Sequence, residues 1–163
     1  MELGGTFDVR APPDRVFAFL TDPTRLFEGF EGAGPVAVGR DGSFSGSIAV
    51  ALFLLRGTVR YQGRYTRAVH DRSVGMELRG SGFVSPFTLR VEAELRPTST
   101  GTRAAWRASG ELTSGGAHFG ENALRSEVER RLASLFARAL QSLEKPSPER
   151  RRRRPSRRSP RAS

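Results

Sequence analysis

The side chains that could do chemistry in this sequence are few: His70 beside Asp71, His118, the two tyrosines Tyr61 and Tyr65, the single tryptophan Trp106, and Arg107 and Glu111. A histidine next to an aspartate could form an acid–base pair, but sequence neighbours at a turn more often face solvent than one another. His118 sits near the start of a helical stretch and reads as a polar residue at a helix entrance rather than as a base or ligand. The two histidines stand 48 positions apart, there is no cysteine, and no HExxH motif occurs, so a metal site lacks ligands and no cofactor is expected. Gly29–Gly34 contains no lysine and Gly110–Gly120 lacks GxGxxG, which leaves no phosphate cradle of known pattern. Tyr61, Tyr65 and Trp106 each join an apolar body to one hydrogen-bonding tip. With Arg107 and Glu111 they could line or rim a cavity, or the aromatics could be plain core.

The elements that must position these residues follow from proline placement and hydrophobic period. Leu3, Thr6, Phe7 and Val9 carry strand propensity, and Pro12-Pro13 then suit a first helical turn, where a missing N–H costs nothing. Asp22-Pro23 repeats the pattern as an N-cap followed by proline. After Gly34-Pro35 strands are expected near 35–39, 43–54, 57–69, 73–80, 85–96 and 102–113, with short antiparallel connections. One face is identified by alternation: Val59, Tyr61 and Tyr65; Val74, Met76 and Leu78; Phe87, Leu89, Val91, Ala93 and Leu95; Ala104, Trp106 and Ala108. The run Ile48 to Leu55 does not alternate; it fits a dimer surface, a membrane-facing edge or core. From about 117 to 143 the apolar spacing changes to three and four, which predicts a helix about 40 Å long. Pro146 and Pro148 end it.

Composition sets the outer limits. A chain of 163 residues suits one domain with an appendage, here 1–143 followed by an Arg/Ser/Pro-rich tail, 144–163, too poor in apolar residues to fold. The net charge of +10 is concentrated in that tail: Lys145 and eight arginines stand against Glu144 and Glu149, a net of +7, which leaves +3 for residues 1–143. Lys145 is the only lysine among 27 basic residues, so the arginines reflect a coding bias more than selection for phosphate geometry, and the body does not read as a nucleic-acid domain. No 18-residue apolar run and no signal-peptide pattern occur, and the expected setting is cytoplasmic.

Residues 1–143 resemble the helix-grip superfamily of START lipid-transfer domains, birch-pollen allergens and polyketide cyclases, and within it the family of the carbon monoxide dehydrogenase G-subunit. The resemblance rests on Met1–Val9 with Ala11–Pro23, on Phe44-Ser-Gly-Ser-Ile-Ala-Val, on Tyr61-Gln-Gly-Arg-Tyr, and on the glycine-led terminal helix. The chain departs from the pattern at Phe27–Gly32 and at the end of strand 48–55. The implied fold is α+β: a curved antiparallel sheet of six to seven strands wrapped around a long C-terminal helix, in the order β-α-α-β(5–6)-α. A deep pocket between sheet and helix, a lipid or quinone-like ligand bound without obligatory catalysis, and a partner enzyme of molybdenum hydroxylase type are also implied.

The leading expectation is therefore a carrier of a hydrophobic small molecule. Its pocket would be lined by Phe27, Phe30, Leu52, Tyr61, Met76, Phe87, Leu89, Trp106, Phe119 and Leu124, with no catalytic residue. The enzymatic alternative, a polyketide cyclase or dehydratase, would use Tyr61, His118 or Glu111 as acid–base groups. The basic tail reads first as a solvated disordered end; alternatively it could hold the protein to anionic membrane at the inner face of the cell membrane, with nucleic acid as the less favoured partner.

Overall fold

Two prolines start two helices and thereby carry the chain from one edge of a sheet to the other. In the computed structural model, which describes residues 2–52, 55–82, 86–112 and 121–144, β1 (Glu2–Val9) is followed by α1 (Pro13–Leu20) and α2 (Pro23–Glu28). The Pro12 carbonyl accepts the first helical bonds, from Arg15 at 3.1 Å and Val16 at 3.2 Å, and Asp14 in the first turn complements the helix dipole. At α2, Asp22 caps as its position before Pro23 predicts, its Oδ1 accepting from the Arg25 N–H at 3.3 Å.

Six further strands complete the sheet: β2 (Ala37–Val38), β3 (Phe44–Leu52), β4 (Leu55–Val69), β5 (Ser73–Gly82), β6 (Phe87–Pro97) and β7 (Thr102–Leu112). Their order is β1-β7-β6-β5-β4-β3-β2, antiparallel throughout. The first strand pairs with the last, in the register Leu3↔Ala108, Gly5↔Trp106 and Val9↔Thr102. The helix pair spans the gap this leaves, with α1 packed over β5 and β6 and α2 against α1 and β2. At Asp71, φ of 60° turns β4 into β5, a conformation that aspartate tolerates better than most residues.

Two hydroxyls from the sheet fix both ends of α1. Thr102 Oγ1, fully buried, donates to the Ala11 carbonyl at 2.7 Å, and Tyr65 Oη donates to the Leu20 carbonyl at 2.8 Å. The remaining contacts are apolar. Val16, Phe19, Leu20, Leu26 and Phe27 from the helices meet Phe44, Tyr61, Val74, Met76, Leu78, Leu95 and Ala104 from the sheet in one core. The long helix α3 (Glu121–Glu144) packs along β1, and Leu143 in its last turn joins that core.

Register explains how large rings fit on the inner face. Phe44 lies opposite Gly63, and its ring fills the place a side chain there would occupy; Tyr61 lies opposite Gly46 in the same way. A ring laid over a neighbouring glycine needs close approach, not unusual backbone angles. The register shift between Tyr65 and Arg67 is a bulge, a feature that bends the strand carrying it. On the outer face Glu77, only 7% exposed, receives Arg79 at 3.0 Å and Arg64 and Arg90 at 3.7 Å. The strands anticipated from alternation are thus present, with ends within a few residues of expectation. Of the predicted tail only Glu144 is described, as the last residue of α3; residues 145–163, with His118 and Phe119, lie outside the described residues.

Candidate functional site

Alternation along β4 brings Tyr61 and Tyr65 to the inner face, where α2 delivers Phe27 and the turn after it delivers Phe30. The result is an aromatic nest. Phe27 stacks on Tyr61 with ring centroids 4.8 Å apart, and stands 5.1 Å from Phe44 and 5.9 Å from Phe30. Phe44 reaches Tyr65 at 5.5 Å. Of the residues expected to line a pocket, Phe27, Phe30 and Tyr61 therefore meet directly.

The two tyrosines of the nest differ in one respect. Tyr65 spends its hydroxyl on the Leu20 carbonyl. The Tyr61 hydroxyl is buried, in a residue only 4% exposed, and has no hydrogen-bond partner among the described residues. Its oxygen lies over Gly46, 2.5 Å from where a Cβ would stand. Burial, reinforced by the charge of Glu28, pushes the Tyr61 phenol up to about 12, and burial with Asp22 raises Tyr65 as well. Both remain protonated at neutral pH, so Tyr61 offers a donor and acceptor but not a base. An unpartnered polar group in such surroundings costs about 1–3 kcal/mol until something pairs with it.

The other expected lining residues continue the same face. Met76 lies opposite Tyr65 and Val91, Leu89 opposite Leu78 and Gly110, and Phe87 opposite Gly80 and Leu112. Trp106 lies toward the β1 edge, stacked on Phe7 at 6.1 Å and separated from β4 by β5 and β6. Leu52 ends β3 opposite Leu55, and Leu124 lies in the first turns of α3; the side chains of both fall outside the described residues.

Arg107 and Glu111 do not rim this site. Both flank inward-facing positions of β7, so the strand's period of two sends them to the outer face, where both are exposed; Glu111 lies opposite Thr88 and Arg107 opposite Glu92. This also removes Glu111 as an acid–base group for chemistry at the nest. His70 and Asp71 form the turn anticipated for them, His70 Nδ1 3.0 Å from Asp71 Oδ1 and its ring 5.1 Å from Phe17. Phe44, which no polarity pattern singles out as a site residue, is a central member of the nest; the alternation Phe44, Gly46, Ile48 is its only sequence signal. Among the described residues no cluster of histidine and carboxylate side chains could hold a metal.

Comparison with solved structures finds the same architecture at low identity. A conserved protein from Geobacillus kaustophilus is 14% identical with a TM-score of 0.80, over 88% of this chain and 95% of that one. The Zhui aromatase/cyclase from Streptomyces sp. R1128 is 15% identical with a TM-score of 0.65, over 88% and 93%. A START superfamily protein from Mycobacterium smegmatis is 11% identical with a TM-score of 0.66, over 88% and 97%. These likenesses establish the helix-grip fold. Comparison with curated proteins gave no match. The family model for the carbon monoxide dehydrogenase G-subunit (CoxG) matches residues 5–143, nearly all of the chain ahead of the basic tail, and on that ground the chain belongs to the CoxG family.

Proposed function

We propose that this protein binds and carries a hydrophobic small molecule, quinone-like or lipid, held against the inner face of the sheet beneath α3. The observation that carries the reading is the Tyr61 hydroxyl, buried beside the rings of Phe27 and Phe44 with nothing among the described residues to pair with. A ligand with an aromatic body and a carbonyl oxygen would stack on the rings and accept that hydrogen bond. A lipophilic body burying on the order of 300 Å² would gain roughly 7 kcal/mol from its removal from water. No described helix is long and apolar enough to cross a membrane, so a carrier of this kind would meet the bilayer from its surface. The Arg-rich segment 145–163 supplies the charge for anionic lipid, and a molybdenum hydroxylase of carbon monoxide dehydrogenase type is the partner that membership of the family suggests.

The test is organic extraction of the purified full chain followed by mass spectrometry, with titration of a short-chain benzoquinone against the fluorescence of Trp106. A near-stoichiometric lipophilic species, or saturable quenching, is expected. A protein that carries neither lipid nor quinone and binds neither refutes the proposal. The cyclase reading is weaker here, since Glu111 lies on the wrong face and Tyr61 holds its proton too firmly to act as a base.

A further inference from the structure

The outer face of the sheet has a chemistry of its own. Register places Ser47, Arg60 and Ser81 in one row across β3, β4 and β5, and Ser45, Gln62 and Arg79 in the next. These two rows are the walls of an open depression of about 580 Å³ whose floor is the intervening row Gly46, Tyr61 and Gly80. The Tyr61 ring leaves through the other side of the sheet, so this groove and the aromatic nest share backbone but no side chain.

Every side chain in the walls can donate a hydrogen bond, and no acid is among them. The nearest carboxylate is Glu77, one row further on, and it is already engaged: Oε1 takes both Nε and Nη2 of Arg79 at 3.0 Å, with Arg64 at 3.7 Å, while Oε2 has Arg90 at 3.7 Å. Arg60 has no ion pair or side-chain hydrogen bond among the described residues, and it stands exposed at the centre of its row. Glu77 thus has three guanidinium partners, while Arg60, with no carboxylate partner among the described residues, lies beside three hydroxyls and an amide. This donor set does not suit a cation or an apolar group. It suits a tetrahedral oxyanion, because guanidinium forks bind phosphate oxygens in pairs and hydroxyls complete the shell. The volume is ample for a diphosphate or a phosphate ester with its organic group.

We propose that the groove between the rows Ser47–Arg60–Ser81 and Ser45–Gln62–Arg79 is a binding site for a phosphate-bearing anion, with Arg60 as its principal ligand. The phosphate could belong to a soluble ester or to a lipid headgroup; the chemistry is shared and the sources are separable by experiment.

The full chain, labelled with ¹⁵N, is titrated with pyrophosphate at low ionic strength. Amide shifts are expected at residues 45–47, 60–62 and 79–81, saturating together. Arg60→Gln should weaken that apparent affinity about fivefold, the scale of one exposed ion pair, and Arg60→Lys should restore part of it. Because the tail is unchanged in every variant, its own attraction for anions cancels in the comparison. Glycerol 3-phosphate and phosphatidylglycerol vesicles form the second arm. Arg60-dependent binding of the former assigns a soluble ester, and Arg60-dependent sedimentation with the latter alone assigns a headgroup. Shifts confined to residues 145–163, or strand-amide affinities identical in wild type and Arg60→Gln, would overturn the proposal. Since Arg60 is exposed and unpaired among the described residues, its replacement leaves the fold intact, and an unchanged amide spectrum away from the groove verifies this.

Discussion

Tyr61 and Tyr65 allow a matched experiment, because the same atom is removed from two inward positions of one strand, with Gly63 between them. Tyr65→Phe deletes a 2.8 Å hydrogen bond and strands the Leu20 carbonyl at the end of α1. That loss should cost about 1–2 kcal/mol. Tyr61→Phe deletes a hydroxyl that is buried without a partner, so the ligand-free protein recovers a desolvation cost instead and should gain about 1 kcal/mol. The two variants then differ by about 2–3 kcal/mol, or roughly 5–10 °C in Tm for a domain of this size. The assay is urea denaturation of protein stripped by organic extraction, repeated after reloading with the extracted species. On reloading, the order at Tyr61 should reverse: Tyr61→Phe should bind the ligand about tenfold more weakly, the worth of one buried hydrogen bond. If both variants lose the same stability when stripped, the Tyr61 hydroxyl is satisfied within the protein in solution, and the reasoning that makes it a ligand anchor is wrong.

The same burial governs alkaline behaviour. With the Tyr61 phenol raised to about 12 in the folded state and near 10 when unfolded, its contribution is fully present below pH 10 and is lost as pH rises from 10 towards 12. Absorbance at 295 nm, which here reports only two tyrosines, should stay flat through pH 10 and rise together with unfolding; a phenol titrating reversibly near 10 in the folded protein would contradict this. Thr102→Val keeps shape but removes the fully buried bond to Ala11, and should cost about 1–2 kcal/mol in denaturant unfolding. Glu77→Gln should cost only about 1 kcal/mol, because Arg64, Arg79 and Arg90 are 66–74% exposed and can rehydrate. It should also tighten pyrophosphate binding in the outer groove, measured by the same amide titration, where an unaffected groove would leave affinity unchanged.

Local signals in the sequence are sufficient for the helices and most strands. Proline fixes φ near its helical value, so Pro13 and Pro23 mark helix starts without reference to anything distant, and Asp22 caps the second from one residue away. Alternation locates the inner face because a half-buried strand must obey a period of two. What cannot be read locally is pairing between chain ends. Nothing in Glu2–Val9 specifies β7 as its neighbour, and the fit of Trp106 beside Gly5, or Phe44 over Gly63, exists only once register is set. Arg107 and Glu111 mislead for a different reason: their polarity suggests a cavity rim, whereas their position beside Trp106 and Gly110 already requires the outer face. Where chemistry and parity disagree within a regular strand, parity decides, since a strand cannot turn one residue over without a bulge.

That rule also accounts for how one strand could serve the two unlike ligands proposed above. Arg60 and Tyr61 are consecutive, yet their side chains enter different surroundings, one an exposed groove of hydroxyls and guanidinium groups and the other a nest of rings. Strand β4 is paired on both sides along this stretch, to β3 by Arg60↔Ser47 and Tyr61↔Gly46 and to β5 by Arg60↔Ser81 and Tyr61↔Gly80. A shift of its backbone would break both ladders, so the two faces are held in fixed relation by the ladder hydrogen bonds. The glycines at 46 and 80 make this arrangement workable. On the inner side they leave room for the rings of Tyr61 and Phe87, and on the outer side their backbone forms the groove floor. A side chain at either position would collide with a ring of the inner face while leaving the outer walls in place, which makes ring packing on the inner face the more demanding constraint on these residues.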